Sequence, residues 1–381
     1  MNFHQNANPF TQTIRAGVDT MANKYKVAVL PGDGIGPEVT SEAVKILNAT
    51  GLNFELLHCD IGGSAYLRNG DALPPESIEA CKEADAVLFG AVGHDYVAYE
   101  IPRRVLIHLR LDNDAYANIR PLKRYPRKGE SPRGERDIDL VIVRDNAEGF
   151  SLQHSGMLAK TLGTDRRVIT QYGAQRIIQF AVKYALQNNR KKITCVDQSH
   201  WLYSDKFFRS VFDRLLKDYE TLERRHQHVD VAAMMLASRP EDFDVIVTPD
   251  IYGDILSAVV VNKVGGVGMA PSACIGDSFA YFEPIHGTAW DIAGKGVANP
   301  LASILSAGLM LDYLGEGQEA RVVEDAVSVL VVEGETLTSD LGGSSGTAAV
   351  GDMVVEKMRS VRDGENPLLH DPLEAVGSPE I

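Results

Sequence analysis

The chain has 381 residues, 44% hydrophobic and 24% charged, with a formal net charge of -14. That length suits one large or two medium domains, and no apolar run approaches the roughly 18 residues needed to span a bilayer. The acidic balance argues against nucleic acid and anionic membranes as partners, since phosphate binding needs a basic surface.

Residues 1–24 are polar and lack the apolar core of a secretory signal, so they read as a flexible leader. Tyr25–Leu30 (YKVAVL) reads as a buried strand that stops at Pro31-Gly32-Asp33-Gly34, and Pro37–Leu47 has helical spacing of apolar residues. Asp85–Phe89, Asp139–Val143, Lys192–Val196 and Phe243–Thr248 are further short apolar runs bounded by turn residues. Strands alternating with helices predict an α/β fold with mainly parallel pairing. The tail from Asp363 to Ile381 reads as frayed. Cys59, Cys81, Cys195 and Cys274 form no CxxC pair and read as buried thiols of a reducing, cytoplasmic compartment.

The first strand runs into GDGIGPE at Gly32–Glu38, which is not the G-x-G-x-x-G fingerprint of a standard Rossmann fold. Later come GDILS at Gly253–Ser257, EPIHGTAWDIAGKGVANP at Glu283–Pro300 and DLGGSSGT at Asp340–Thr347. Taken together and in this order, these segments resemble the isopropylmalate/isocitrate dehydrogenase family, from about Lys24 to about Met358. The pattern is most similar to that of NAD-dependent 3-isopropylmalate dehydrogenases.

The resemblance implies a two-domain α/β fold, distinct from a standard Rossmann fold. Residues 1–115 and 266–381 would form the nucleotide-binding domain, and residues 116–265 a second domain with the dimer interface. It also implies a homodimer with shared active sites, acting on a small anionic 2-hydroxyacid. The reaction would be NAD-dependent oxidation of a 2-hydroxy di- or tricarboxylate, with decarboxylation and a divalent metal, Mg²⁺ or Mn²⁺. Arg110, Arg120 and Arg144 match the arginines that hold the malate skeleton, and a guanidinium fork fixes a carboxylate in orientation as well as charge. Asp230 and Asp254 match metal carboxylates, as a hard cation requires. Glu283, His286, Gly287, Thr288, Ala289, Asp291 and Asn299 fall in the cofactor segment. A carboxylate at Asp291 would accept from the ribose hydroxyls and repel a 2′-phosphate, which favours NAD over NADP.

The sequence departs from the family where protons move. The tyrosine that serves as general acid falls at Ser151, and the lysine from the opposite subunit falls at Gln198. The asparagine near the nicotinamide is His200, and a third metal aspartate is Ala258, a vacancy that water or Asp250 could fill. Serine is a far weaker acid than tyrosine, and glutamine cannot relay a proton. His200 and His154 are candidate replacements, because histidine titrates near neutrality. Trp201 and Trp290 stand where smaller residues are usual, and Arg103–His108 occupies the region that selects substrate. Leu106 and Ile107 suit an alkyl group there, and Arg103 or His108 an extra anion. Two alternatives stay open: a regulatory paralogue that binds without turnover, and non-redox decarboxylase or lyase chemistry on the same scaffold.

Overall fold

The computed structural model describes residues 24–127, 137–158 and 161–364. Residues 1–23 and 365–381, read above as leader and tail, lie outside the described residues. The chain begins with β1 (Lys24–Gly32), α1 (Gly36–Ala49), β2 (Asn53–His58), α2 (Gly62–Asn69), α3 (Pro75–Glu83) and β3 (Ala86–Ala91). Next come α4 (Glu100–Ile107), which widens into a π turn over His108–Asp112, then β4 (Ala117–Lys123) and β5 (Asp139–Asp145). A hairpin of β6 (Gly149–Leu158) and β7 (Leu162–Val168) stands apart as a two-stranded sheet.

The chain continues with α5 (Gln171–Gln187), β8 (Lys192–Asp197), α6 (Tyr203–Leu215), β9 (Glu223–His228), α7 (Val229–Ser238), β10 (Val245–Thr248) and α8 (Asp250–Val261). It closes with β11 (Pro271–Ile275), β12 (Ala280–Pro284), α9 (Leu301–Tyr313), α10 (Gly317–Glu333) and α11 (Thr347–Arg362).

Ten strands form one sheet in the order β2-β1-β3-β12-β11-β4-β5-β10-β8-β9. Its two flanks are parallel, while the central steps β12–β11, β11–β4 and β4–β5 are antiparallel. The late strands β11 and β12 thus return to sit between β3 and β4. The buried runs VAVL, AVLF, LVIV and VIVT supply β1, β3, β5 and β10, and a strand covered on both faces needs such continuous apolar character. All four cysteines are free and buried.

The sequence expectations for β1, β3, β5, β8, β10 and α1 agree with the fold to within about two residues. The edge strand β9 (ERRHQH) has no apolar signature and follows only from its pairing with β8. No described helix is long and apolar enough to cross a membrane.

Candidate active site

Three arginines converge beside the central antiparallel strands. In the β4–β5 ladder Arg120 faces Ile142 and Asn118 faces Arg144, so Arg120 and Arg144 lie two positions apart on one face. The N-terminal half of α8 lies against them, with Asp250 and Asp254 one turn apart. Gly253 makes this approach possible, because a Cβ there would fall 2.7 Å from the Arg144 side chain.

Arg120 donates from Nε to Asn118 Oδ1 (2.8 Å) and from Nη1 to Ser257 Oγ (2.6 Å), and its Nη2 pairs with Asp254 Oδ1 at 2.7 Å. Arg144 donates from Nη1 to the same Asp254 oxygen (2.8 Å) and from Nη2 to Asp250 Oδ1 (2.6 Å). Arg110, on the π turn, donates from Nε to the Tyr281 hydroxyl (3.0 Å) and from Nη2 to Glu283 Oε1 (3.5 Å). Burial alone would raise the Asp254 carboxyl, but the guanidinium groups of Arg144, Arg120 and Arg110 outweigh it and hold that carboxyl below its ordinary range. Burial and the neighbouring Arg144 lower Arg120. The cluster therefore offers clustered guanidinium donors and a carboxylate, half exposed at 49%, shared between two of them.

Glu283 ends β12 and leads into the glycine-rich segment. Thr288 accepts from the Ile35 amide through its carbonyl (2.8 Å), which ties this segment to the turn after β1. Gly34 adopts a left-handed φ of 62°, and a Cβ there would lie 1.9 Å from the Thr288 carbonyl oxygen, so only glycine fits. Asp33 is fully buried and accepts from the amides of Gly63, Ser64 and Gly93, gathering three loops around this turn. Trp290 donates from its indole N–H to the Gly93 carbonyl (2.9 Å) and sets its ring edge-on to His94.

Burial lowers the His286 imidazole, which leaves it neutral, and its buried Nε2 has no hydrogen-bond partner among the described residues. Gly287 is exposed, Thr288 and Ala289 are partly buried, and Ala289 takes a positive φ of 41°. Asp291 is exposed. Asn299 is buried, and its amide donates to Asp340 Oδ2 (2.9 Å) while its oxygen accepts from the Leu301 amide (3.0 Å). Asn299 therefore braces the entry to α9. An orphaned ring nitrogen at His286, an exposed carboxylate at Asp291 and a glycine-rich turn are compatible with a bound dinucleotide.

The carboxylates fit a divalent metal only in part. Among the described residues no group of three or more His, Cys, Asp or Glu converges. Asp250 and Asp254 engage arginines, Ala258 has no donor, and Asp230 is exposed at the start of α7.

Gln198 and His200 lie past the C-terminal end of β8. The backbone N–H of Gln198 donates to Asp205 Oδ2 (2.7 Å), and this fully buried carboxylate also accepts from the Tyr252 hydroxyl (2.9 Å) and pairs with Arg167 (2.5 Å). His200 is exposed and stacks on His228, ring centroids 3.9 Å apart. No hydrogen bond or ion pair among the described residues links Gln198, His200 or Asp230 directly to the arginine cluster. The side chains of Ser151 and His154, on β6, lie outside the described residues.

Asp205, Arg167 and Asn118 did not stand out in the sequence, since each acts through a partner distant in the chain. Asp250 had one local signal, its spacing of one helical turn from Asp254.

Residues 26–354 match the family model described as isocitrate/isopropylmalate dehydrogenase. The chain is 41% identical over 340 residues to a 3-isopropylmalate/3-methylmalate dehydrogenase of Methanocaldococcus jannaschii, covering 88% of this chain and 99% of that protein. It is equally 41% identical over 354 residues to a homoisocitrate dehydrogenase of the same organism, covering 89% and 99%. A crystal structure of isocitrate dehydrogenase from Methylococcus capsulatus superposes with a TM-score of 0.82 at 33% identity, over 88% of this chain and 99% of that one.

Proposed function

We propose a function from one premise: the chain belongs to the isocitrate/isopropylmalate dehydrogenase family, whose members are hydroxyacid dehydrogenases. In our reading it oxidises C2 of a small 2-hydroxy di- or tricarboxylate with NAD. Hydride passes from C2 to NAD⁺, the hydroxyl proton is released, and the 2-oxo acid forms. Decarboxylation follows when the C3 carboxylate leaves as CO₂ and its bonding electrons form an enolate, which is then protonated at C3. The observation that carries this reading is the convergence of Arg110, Arg120, Arg144 and Asp254, with Glu283 leading from Arg110 into the His286–Asp291 segment.

Each residue has a defined task. The arginines hold and orient carboxylates. His286 and Asp291 seat the adenosine half of NAD, and the exposed Asp291 disfavours NADP. Asp254, with Asp230 from a second copy, would hold Mg²⁺ or Mn²⁺. That ion supplies Lewis acidity at the hydroxyl and the enolate. Gln198 and Ser151 cannot supply protons as lysine and tyrosine would, so enolate protonation falls to His200 or water.

A homodimer completes this picture. On α7 and α8, which pack together, Val231, Met234, Ile251 and Ile255 are all exposed. Such an apolar face is what two copies would bury. It lies beside Asp230, so pairing would carry Asp230, Gln198 and His200 towards the neighbouring site. The division into residues 1–115 with 266–381 and residues 116–265 belongs to this reading, as does a cytoplasmic location. A second reading, a regulatory subunit that binds ligand without turnover, is favoured by Ser151, Gln198 and Ala258 together.

The test incubates the protein with NAD, Mn²⁺ and isopropylmalate, isocitrate, homoisocitrate, malate or tartrate, following NADH absorbance and CO₂. NADH formation with one acid supports the proposal. Binding of NAD and acid without NADH supports the regulatory reading.

A further inference from the structure

The strands that carry the arginine cluster have a second face. On β4, Asn118 and Arg120 point towards the cluster, so Ile119, Pro121 and Lys123 point the other way. β11 and β12 alternate alike. Ser272 and Cys274 accept from Asn118, and Glu283 accepts from Arg110, while Ala273, Ile275 and Phe282 face the reverse side. Behind them lies a cavity of about 420 Å³, between α5 on one flank and α9 and α10 on the other. Its floor is apolar, built from Ile119, Ala273, Ile275, Phe282 and Leu305, each no more than 6% exposed.

Six charged side chains line this cavity, and four of them are satisfied. Lys123 pairs with Glu324, and Arg190 pairs with Asp139 (2.6 Å) and with Asp244 (3.2 Å). The other two are Asp312, in the last turn of α9, and Arg321, one turn into α10. Among the described residues their side chains form no hydrogen bond or ion pair, with each other or with a neighbour. Both are exposed at the mouth and converge on one spot: a Cβ placed on Gly317 would lie 3.1 Å from Asp312 Oδ1 and 3.8 Å from Arg321 Nη1. Burial pushes the Asp312 carboxyl up, and Arg321 offsets that only in part.

We propose that this cavity is a binding site for an apolar α-amino acid, separate from the candidate active site on the other face of the sheet. The ligand's carboxylate meets the guanidinium fork of Arg321, its ammonium meets Asp312, and its side chain enters between the strands and the helices. The adjacent opposite charges decide the class. A simple carboxylic acid would set its anion beside Asp312 with nothing to answer that carboxylate, and a simple amine would set its cation beside Arg321. An amino acid with a charged side chain would have to bury that charge against the apolar floor. The inference is independent of the proposed function, because none of its residues belongs to the arginine cluster or the His286–Asp291 segment.

Calorimetric titrations of the wild-type protein test it with two matched sets of probes. One is L-norleucine with hexanoate and pentylamine, and the other L-phenylalanine with 3-phenylpropanoate and phenethylamine. At least one of the two amino acids is expected to bind with a dissociation constant below about 1 mM. The acid and the amine of the same skeleton should each bind at least about tenfold more weakly. Arg321→Gln and Asp312→Asn, both at exposed positions, should each weaken the amino acid by a similar factor. No saturable binding of either amino acid up to roughly 10 mM overturns the proposal. Equal binding of the acid or the amine also overturns it, without recourse to any variant, since the charge pair would then not be read. Unchanged affinity in both variants would place the ligand elsewhere on the molecule and overturn it as well.

Discussion

Around β4, β5 and α8, Arg120, Arg144, Asp250 and Asp254 bind one another within a single chain, whereas past the end of β8 the rings of His200 and Trp201 face solvent. The first region is organised by local geometry. Two arginines share one face of a ladder, and two aspartates lie one turn apart on the helix laid over them. The second region is held from below by the buried Asp205, yet Gln198, His200 and Asp230 touch none of the arginines. Under the proposed reading the arginines would hold the acid within one copy, while metal binding and proton chemistry would draw on a second. Of the four positions altered from the family pattern, Gln198 and His200 fall in the second region, Ala258 on α8 in the first and Ser151 on β6, so anion binding and proton transfer should respond separately to mutation.

The largest expected effect breaks the first region. Arg120→Ala should weaken binding of a 2-hydroxy dicarboxylate by several hundredfold, about 3–4 kcal/mol, because it leaves the incoming carboxylate without its nearly buried guanidinium partner, while Asp254 keeps only Arg144. NAD affinity should stay within about twofold. Parallel titrations of acid and NAD check this, and an equal loss of both would mean that the cluster supports the whole fold.

The next sharpens the second region. Gln198→Lys combined with Ser151→Tyr should raise CO₂ release by roughly 100-fold, the usual contribution of a positioned acid or base. Substrate affinity should change little. A gain confined to NADH formation would show that the altered pair acts on hydride transfer instead.

Asp145, at the end of β5 between the two regions, tests the scaffold. Burial pushes its carboxyl up to about 6, against the amide hydrogen bonds from Ala147 and Glu148. A carboxyl raised in the folded state adds stability that is full below its unfolded value, roughly 3.9, and is lost as pH rises through the folded value. Asp145→Asn keeps the accepting oxygen and removes this dependence. Its stability relative to wild type should therefore increase between acid and neutral pH by roughly 2 kcal/mol. Denaturant midpoints across that range measure it, and a constant difference would contradict the argument.

The smallest effect concerns Asp254, whose carboxyl is held low by three arginines. A lowered carboxyl contributes stability above its unfolded value, which is lost as pH falls through the lower folded value. Asp254→Asn should flatten the acid limb below about pH 4, by less than about 1 kcal/mol given the exposure of this side chain. Acid melts of the two proteins provide the comparison.

Legibility in the sequence followed the same divide. The apolar runs of β1, β3, β5 and β10 announced themselves because buried parallel strands leave no room for polar residues. β4 and β11 did not, since ANIRPLK and PSACI mix polar residues and proline into strands whose place is set by antiparallel neighbours. Arg110, Arg120, Arg144 and Asp254 were named from motif register, and the structure gathers them. The Asp250 contact with Arg144 spans 106 residues, a distance at which no local pattern reports. Asn299 was read with the cofactor segment, and the structure gives its amide to Asp340 and α9. Side chains that couple distant elements are invisible in sequence when neither partner has an unusual local setting.

The most direct test of the central claim, that hydride transfer survives on an altered proton relay, uses C2-deuterated isopropylmalate with NAD and Mn²⁺. The account predicts deuterium on the reduced nicotinamide by mass spectrometry, with CO₂ release lagging behind it in wild type and catching up in the Ser151→Tyr, Gln198→Lys variant. Unlabelled nicotinamide in both proteins, with the acid and NAD bound, would contradict it and leave a binding subunit in place of an enzyme.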